Sequence, residues 1–180
     1  MTDLAADPLM NIVHHGIKDP VRLLMEHHFL EAGLKLVFAG IDAMAFLGLP
    51  ADAVEVTGAD FISWCDRYLR LPSQEPISSS ELWGARCGLL HCHSGESRAR
   101  RRGTARLIQW ADKGPPVLYR PDVDPNLIFV SVQAFVEAFF DAIDRSMVEL
   151  FRDQNRAQVA DVRLQNMFVY GRRDGILPAT

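Results

Sequence analysis

Apolar residues in the first half of the chain recur at three- and four-residue steps. Leu23, Leu30, Leu34, Val37, Ile41 and Met44 fall on one stripe, and the spacing predicts a single long helix over 19–48. Asp19-Pro20 is a start signal, an acidic cap with a proline in the first turn. Gly48 and Pro50 end it. From Leu34 onward nearly the whole circumference is apolar, interrupted only by Lys35 and Asp42, so this half is expected at the centre of the fold. Residues 1–18 read as a loose arm that begins with a short turn, and 51–56 as a loop. A second helix is predicted over 57–71, with Phe61, Trp64, Cys65 and Tyr68 inward. After the breaker-rich stretch 72–76, Ser78-Ser79-Ser80-Glu81 has the form of a capping box, Ser78 as cap and Glu81 reaching back. The helix it starts is expected to fray near Ser94-Gly95.

The pattern then changes. Residues 97–102 are polar and basic. Short β-prone runs follow at 105–110, 117–119 and 127–130, separated by Gly114-Pro115-Pro116 and by the proline-bounded stretch 121–125. They predict a small antiparallel sheet or β-meander. Ser131 caps a strong amphipathic helix whose inner face is Val132, Phe135, Val136, Phe139, Ile143, Met147 and Leu150. A last helix is expected over 156–168, then a polar tail. The expected fold is mainly α: a bundle of four or five helices with a small antiparallel β-insert at about 105–130. One domain over 1–180 accounts for it, with an arm (1–18), the motif-bearing helices (19–95), a basic loop with the β-insert (96–130) and C-terminal helices (131–180). Trp64, Trp83, Phe139 and Phe140 are assigned to the core.

Composition adds constraints rather than a function. The 180 residues suffice for a sizeable core, and 48% hydrophobic with 23% charged residues is an ordinary balance. The net charge of −4 argues against a surface that coats nucleic acid generally, though not against a local basic patch. No apolar run approaches the ~20 residues that span a bilayer, so no membrane is expected. Cys65, Cys87 and Cys92 have no disulfide-framework spacing and nothing that would activate them; with no apolar leader, the expectation is a cytoplasmic protein with inert thiols.

The segment Trp83-Gly84-Ala85-Arg86-Cys87-Gly88-Leu89-Leu90-His91-Cys92-His93 concentrates the candidate chemistry. A guanidinium can grip a phosphate with two parallel hydrogen bonds, and an imidazole can move a proton near neutral pH. On an ideal helix, at about 100° per residue, His91 lies about 140° from Arg86 and His93 only about 20° from it. His93 thus shares the arginine's face, unless a distortion at Gly88 or pairing across a dimer brings His91 round. Asp42, inside an apolar helix, needs a partner, and Arg86 is a natural one. The run Arg98, Arg100, Arg101, Arg102 and Arg106 follows directly, where a backbone-gripping surface would help RNA bind, but no aromatics interleave with it for base stacking. A metal site is not expected: His91, Cys92 and His93 point in different directions on a helix, and neither Cys87 nor His27-His28 adds a recognisable ligand spacing.

The chain resembles the HEPN-domain family. The resemblance rests on the apolar helix with one acidic residue, Phe38-Ala39-Gly40-Ile41-Asp42-Ala43-Met44, on the segment from Asp60 to Leu69, and on Arg86 followed five residues later by His91, like the family's arginine, four to six residues, histidine motif. It covers about residues 20–95. It implies a helical bundle that commonly dimerises and, in active members, a metal- and cofactor-independent endoribonuclease of defence or toxin type, with a composite cleft between two subunits. The family's arginine falls on Arg86 and its histidine on His91, with His93 as second choice. The position after the arginine, usually polar and often Asn, is here Cys87. RNA and an antitoxin-like protein are the implied partners. The alternatives are a non-catalytic helical dimerisation module that keeps the motif for folding or registry, and a nucleotide- or small-ligand-binding domain using Arg86 and the arginine run.

Overall fold

The computed structural model of the chain describes residues 8–73, 75–92 and 105–167. Within these residues the chain is mainly helical, with one small sheet. The N-terminal segment departs from the expected loose arm. Helix α1 (Pro8–Val13) passes through a π-helical turn (His14–Lys18) directly into α2 (Asp19–Glu26). Val13, Ile17 and Val21, four residues apart, are all buried. Lys18 is only 3% exposed, and its Nζ donates to Asp144. A buried ammonium needs such a partner.

The predicted long helix is two helices. α2 ends at Glu26, and α3 runs Leu30–Gly48. His28 adopts a φ of 58°, in the left-handed region. Its N–H reaches Met25 O at 3.1 Å and the Phe29 N–H reaches Leu24 O at 2.8 Å. This pair of reversed bonds is a Schellman motif, in which histidine occupies the position usually held by glycine. The apolar spacing carries across the break, which is why sequence periodicity missed it. One consequence is that Leu23 is 55% exposed rather than on the buried stripe.

α3 is central, as expected, with Leu34, Val37, Phe38, Ile41 and Met44 buried. Around it pack α4 (Gly58–Tyr68), α6 (Val132–Arg152) and α7 (Gln154–Met167), and α5 (Ser79–Cys87) packs on α4. α4 and α5 each begin with a complete capping box, Thr57 with Asp60 and Ser78 with Glu81. The whole predicted inner face of α6 is buried. Phe38, Phe61, Phe135 and Phe139 form the aromatic centre. Gly40 lets α3 and α6 close on each other, since a Cβ there would lie 2.6 Å from Phe139 Cζ. The C-terminus of α3 is closed by a residue from α7. Arg163, 7% exposed, donates to the carbonyls of Phe46 (2.5 Å), Leu49 (2.7 Å), Pro50 and Ala53 (3.1 Å). Phe46 O and Pro50 O also accept the backbone N–H groups of Leu49 and Ala53, so the guanidinium adds a charged donor to the turn that ends the helix.

The three β-prone runs form strands β1 (Leu107–Ala111), β2 (Val117–Tyr119) and β3 (Leu127–Ser131). The sheet is mixed rather than antiparallel throughout. Its order is β1-β3-β2, with β3 antiparallel to β2 but parallel to β1. The most apolar strand takes the middle: Ile128 and Val130 are fully buried. Alternation along a strand fixes its faces, not its neighbours. Trp110 holds the sheet to the bundle, its ring 5.0 Å from Phe135 and 5.9 Å from Phe38.

Candidate functional site

Three elements bring Asp42, Arg86 and His91 together. Asp42 sits midway along α3, on the side turned to α5. Arg86 is in the last turn of α5. Its guanidinium donates from Nε (3.1 Å) and Nη2 (2.6 Å) to Oδ2 of Asp42. The two side chains are 15% and 23% exposed, so the pair is largely withdrawn from water. Oδ1 of Asp42 is buried and has no hydrogen-bond partner among the described residues. Trp83, one turn before Arg86, lies beneath the guanidinium at 4.8 Å from its ring centre. That ring rests on Phe61 at 5.3 Å and against Gly58, where a Cβ would meet Trp83 at 2.9 Å. The arginine is therefore held from the side by a carboxylate and from below by an indole.

His91 reaches Arg86 because the helix changes pitch. After Cys87 the chain continues as a π-helical segment, Gly88–Cys92. Five residues complete more than a full α-turn but make about one turn of a π-helix, so positions 86 and 91 come onto one face. Nη1 of Arg86 lies 2.9 Å from Nε2 of His91. A guanidinium can only donate, so this bond requires a bare Nε2 and places the ring proton on Nδ1. Unlike the half-buried Asp42–Arg86 pair, the imidazole is exposed to solvent. The arrangement is a relay from a withdrawn carboxylate, through a fixed cation, to a solvent-facing imidazole.

The other candidates are distributed differently. Cys87 is a half-buried free thiol beside Arg86. Cys65 is buried, and burial, followed by the nearby Asp66 and Asp42 carboxylates, pushes its thiol up, leaving it protonated and inert. His93, Arg98, Arg100, Arg101 and Arg102 lie outside the described residues. Arg106 does not belong to a free basic patch. It forks onto Glu81, with Nε to Oε1 at 2.6 Å and Nη2 to Oε2 at 3.0 Å, donates to Pro76 O at 2.8 Å, and stacks 4.7 Å above Tyr119. Burial alone would raise the Glu81 carboxyl, but hydrogen bonds from Arg106 and Ser78 outweigh it and hold it down at about 2. Arg106 thus ties β1 to the start of α5. The partner for this cation was already in the capping box, but nothing local marks a contact made across 25 residues.

A second polar group, absent from the sequence-based candidates, surrounds a cavity of about 110 Å³ between the end of α3, α4 and α6. Arg67 and Arg156 both donate to Glu149 there. Burial and Glu149 push the Tyr68 phenol up; despite burial, hydrogen bonds from Tyr68, Arg156 and Arg67 hold the Glu149 carboxyl below its usual range. The residues come from segments more than eighty positions apart, so sequence spacing carried no signal of them.

No protein-family model, curated protein or solved structure matches this chain.

Proposed function

We propose that the protein is a HEPN-like, metal-independent endoribonuclease, acting as a cytoplasmic homodimer with Arg86 and His91 as its reactive pair. The observation that carries this reading is the π-helical segment at Gly88–Cys92, which sets His91 Nε2 2.9 Å from a guanidinium already oriented by Asp42. Such distortions cost helix stability and occur frequently at functional sites. In the proposed reaction an RNA phosphate takes the Arg86 Nη1 donor in place of His91. That exchange frees the Nε2 lone pair, which accepts the proton of the 2′-hydroxyl. The 2′-oxygen bonds to phosphorus and the bond to the 5′-oxygen breaks, leaving a 2′,3′-cyclic phosphate. The departing oxygen takes a proton from an imidazolium, which the His91 of a second subunit would supply across a shared cleft. Arg86 offsets the charge that grows on the phosphoryl oxygens.

The test is incubation of the purified protein with mixed RNA in EDTA. Cyclic-ended products should form, and His91→Ala should lower the rate by about 10²–10⁴-fold, the usual worth of a positioned proton-transfer group. Arg86→Ala should abolish cleavage as well. An antitoxin-like partner would then be expected to suppress the cleavage.

A second reading has its own support. Arg86 is only 15% exposed, and three of its N–H groups are committed within the subunit. A helical interaction module would use it that way, to fix the register of α5 on α3. Under that reading no RNA is cut at any protein concentration, and Arg86→Ala lowers melting temperature or dimer yield.

A further inference from the structure

We infer that Trp83 is the positioning residue of the Arg86–His91 pair, and that Gly58, the first residue of α4, sets where its ring stands. The inference rests on the nuclease reading for what the pair does, but not for how the pair is held. Asp42 alone does not fix the guanidinium. A carboxylate that takes an arginine on both oxygens fixes its plane as well as its place. Here Nε (3.1 Å) and Nη2 (2.6 Å) both donate to Oδ2, and Oδ1 has no partner among the described residues. A cation held at one oxygen can still tilt about it. Nη1 is on the far side of the guanidinium from Oδ2 and moves furthest in such a tilt. It is also the atom that meets His91 Nε2 at 2.9 Å. The missing constraint is the Trp83 face, whose centre lies 4.8 Å from Cζ of Arg86.

The indole is itself seated. Its ring centre is 5.3 Å from that of Phe61, which is fully buried. It also meets the backbone of Gly58, where a Cβ would lie 2.9 Å from Cε2, 3.0 Å from Cζ2 and 3.2 Å from Nε1 of Trp83. Ordinary carbon contacts begin near ~3.5 Å, so an alanine there would push the ring by roughly half an ångström. Space is what requires the glycine. Its backbone is ordinary, since Gly114 is the one glycine of positive φ among the described residues. Helix propensity favours alanine over glycine, so α4 itself gains nothing from the smaller residue. A contact on α4 therefore sets the tilt of a guanidinium on α5, and through it the bond to His91.

The experiment reads the tautomer of His91 by long-range proton–nitrogen correlation on the full-length protein at about pH 8, where an ordinary imidazole is neutral. His91→Gln identifies the signal, and each variant is read well below its own melting temperature. In the native protein the ring should carry its proton on Nδ1, because Arg86 donates to Nε2. Arg86→Met should release it to the tautomer mixture of a free imidazole. Gly58→Ala and Trp83→Leu should each do the same, although Asp42, Arg86 and His91 are all still present. Gly58→Ala combined with Trp83→Phe should recover the Nδ1–H form, because the smaller ring leaves room for the added methyl and still covers the guanidinium. RNA cleavage is followed in parallel and should fall about tenfold in Gly58→Ala and return in the double variant. If no protein cuts RNA while the tautomers follow this pattern, the nuclease reading falls and the positioning role stands. A native His91 without the Nδ1–H preference, a preference that survives both Gly58→Ala and Trp83→Leu, or a double variant no better than Gly58→Ala would overturn the inference.

Discussion

The Asp42–Arg86 pair allows the positioning argument to be put into numbers. The perturbation is a double-mutant cycle of Asp42→Asn and Arg86→Met, the methionine keeping an apolar stem on Trp83. Two unit charges about 4 Å apart at an effective dielectric near 20 attract by about 4 kcal/mol. Desolvation opposes this, and with the side chains 15% and 23% exposed it cancels only part of it. Both guanidinium bonds also fall on a single oxygen, Oδ2, rather than forming a two-oxygen fork. A coupling of about 2 kcal/mol is therefore expected, between the ~0.5 of a surface pair and the 3–5 lost when a fully buried pair is broken. Arg86→Met alone should cost about 2–3 kcal/mol, because it leaves a carboxylate whose Oδ1 already has no partner. That corresponds to a fall in melting temperature of about 4–12 °C for a chain of this size. Urea unfolding of the four proteins measures the coupling, repeated at high salt. A coupling below ~0.5 kcal/mol that vanishes with salt would show a screened surface pair, and the claim that Asp42 fixes the guanidinium would fail.

His28→Gly should raise stability by about 0.5–1 kcal/mol in a thermal melt, because φ of 58° strains any side chain but not glycine; a loss would contradict the Schellman assignment. Arg163→Met should cost about 2–4 kcal/mol in urea unfolding, since four carbonyls at and just after the end of α3 lose a charged donor together and only Phe46 O and Pro50 O keep a backbone N–H; a cost below ~0.5 kcal/mol would mean water replaces it freely. Glu81 titrates at about 2 in the folded chain against an ordinary 4.5. A depressed folded value stabilises above the unfolded one, so this contribution, up to about 3 kcal/mol, is complete above pH ~4.5 and is lost as pH falls from there toward ~2. Glu81→Gln should flatten that part of the stability curve, and an unchanged acid slope in the variant would refute the assignment.

What the sequence determined by itself is what local physics controls. The caps at Thr57, Ser78 and Ser131 are satisfied within three residues, so they were legible or nearly so. The inner face of α6 follows from its 3.6-residue period, and the centrality of α3 from its nearly unbroken apolar circumference. The Asp42–Arg86 contact was legible for a related reason: a carboxylate inside an apolar helix has to find a cation. Tertiary structure decided the rest. The burial of Val13, Ile17, Lys18 and Val21, the histidine in the α2–α3 turn and the parallel pairing of β1 with β3 depend on what the chain meets elsewhere. Arg106 belonged in sequence to a basic run, yet Glu81 at the start of α5 claims it. The π-helical segment is the sharpest case. An ideal helix separates Arg86 from His91, and only the wider turn from Gly88 on, whose Leu89 and Leu90 pack against the core, lets the two side chains meet.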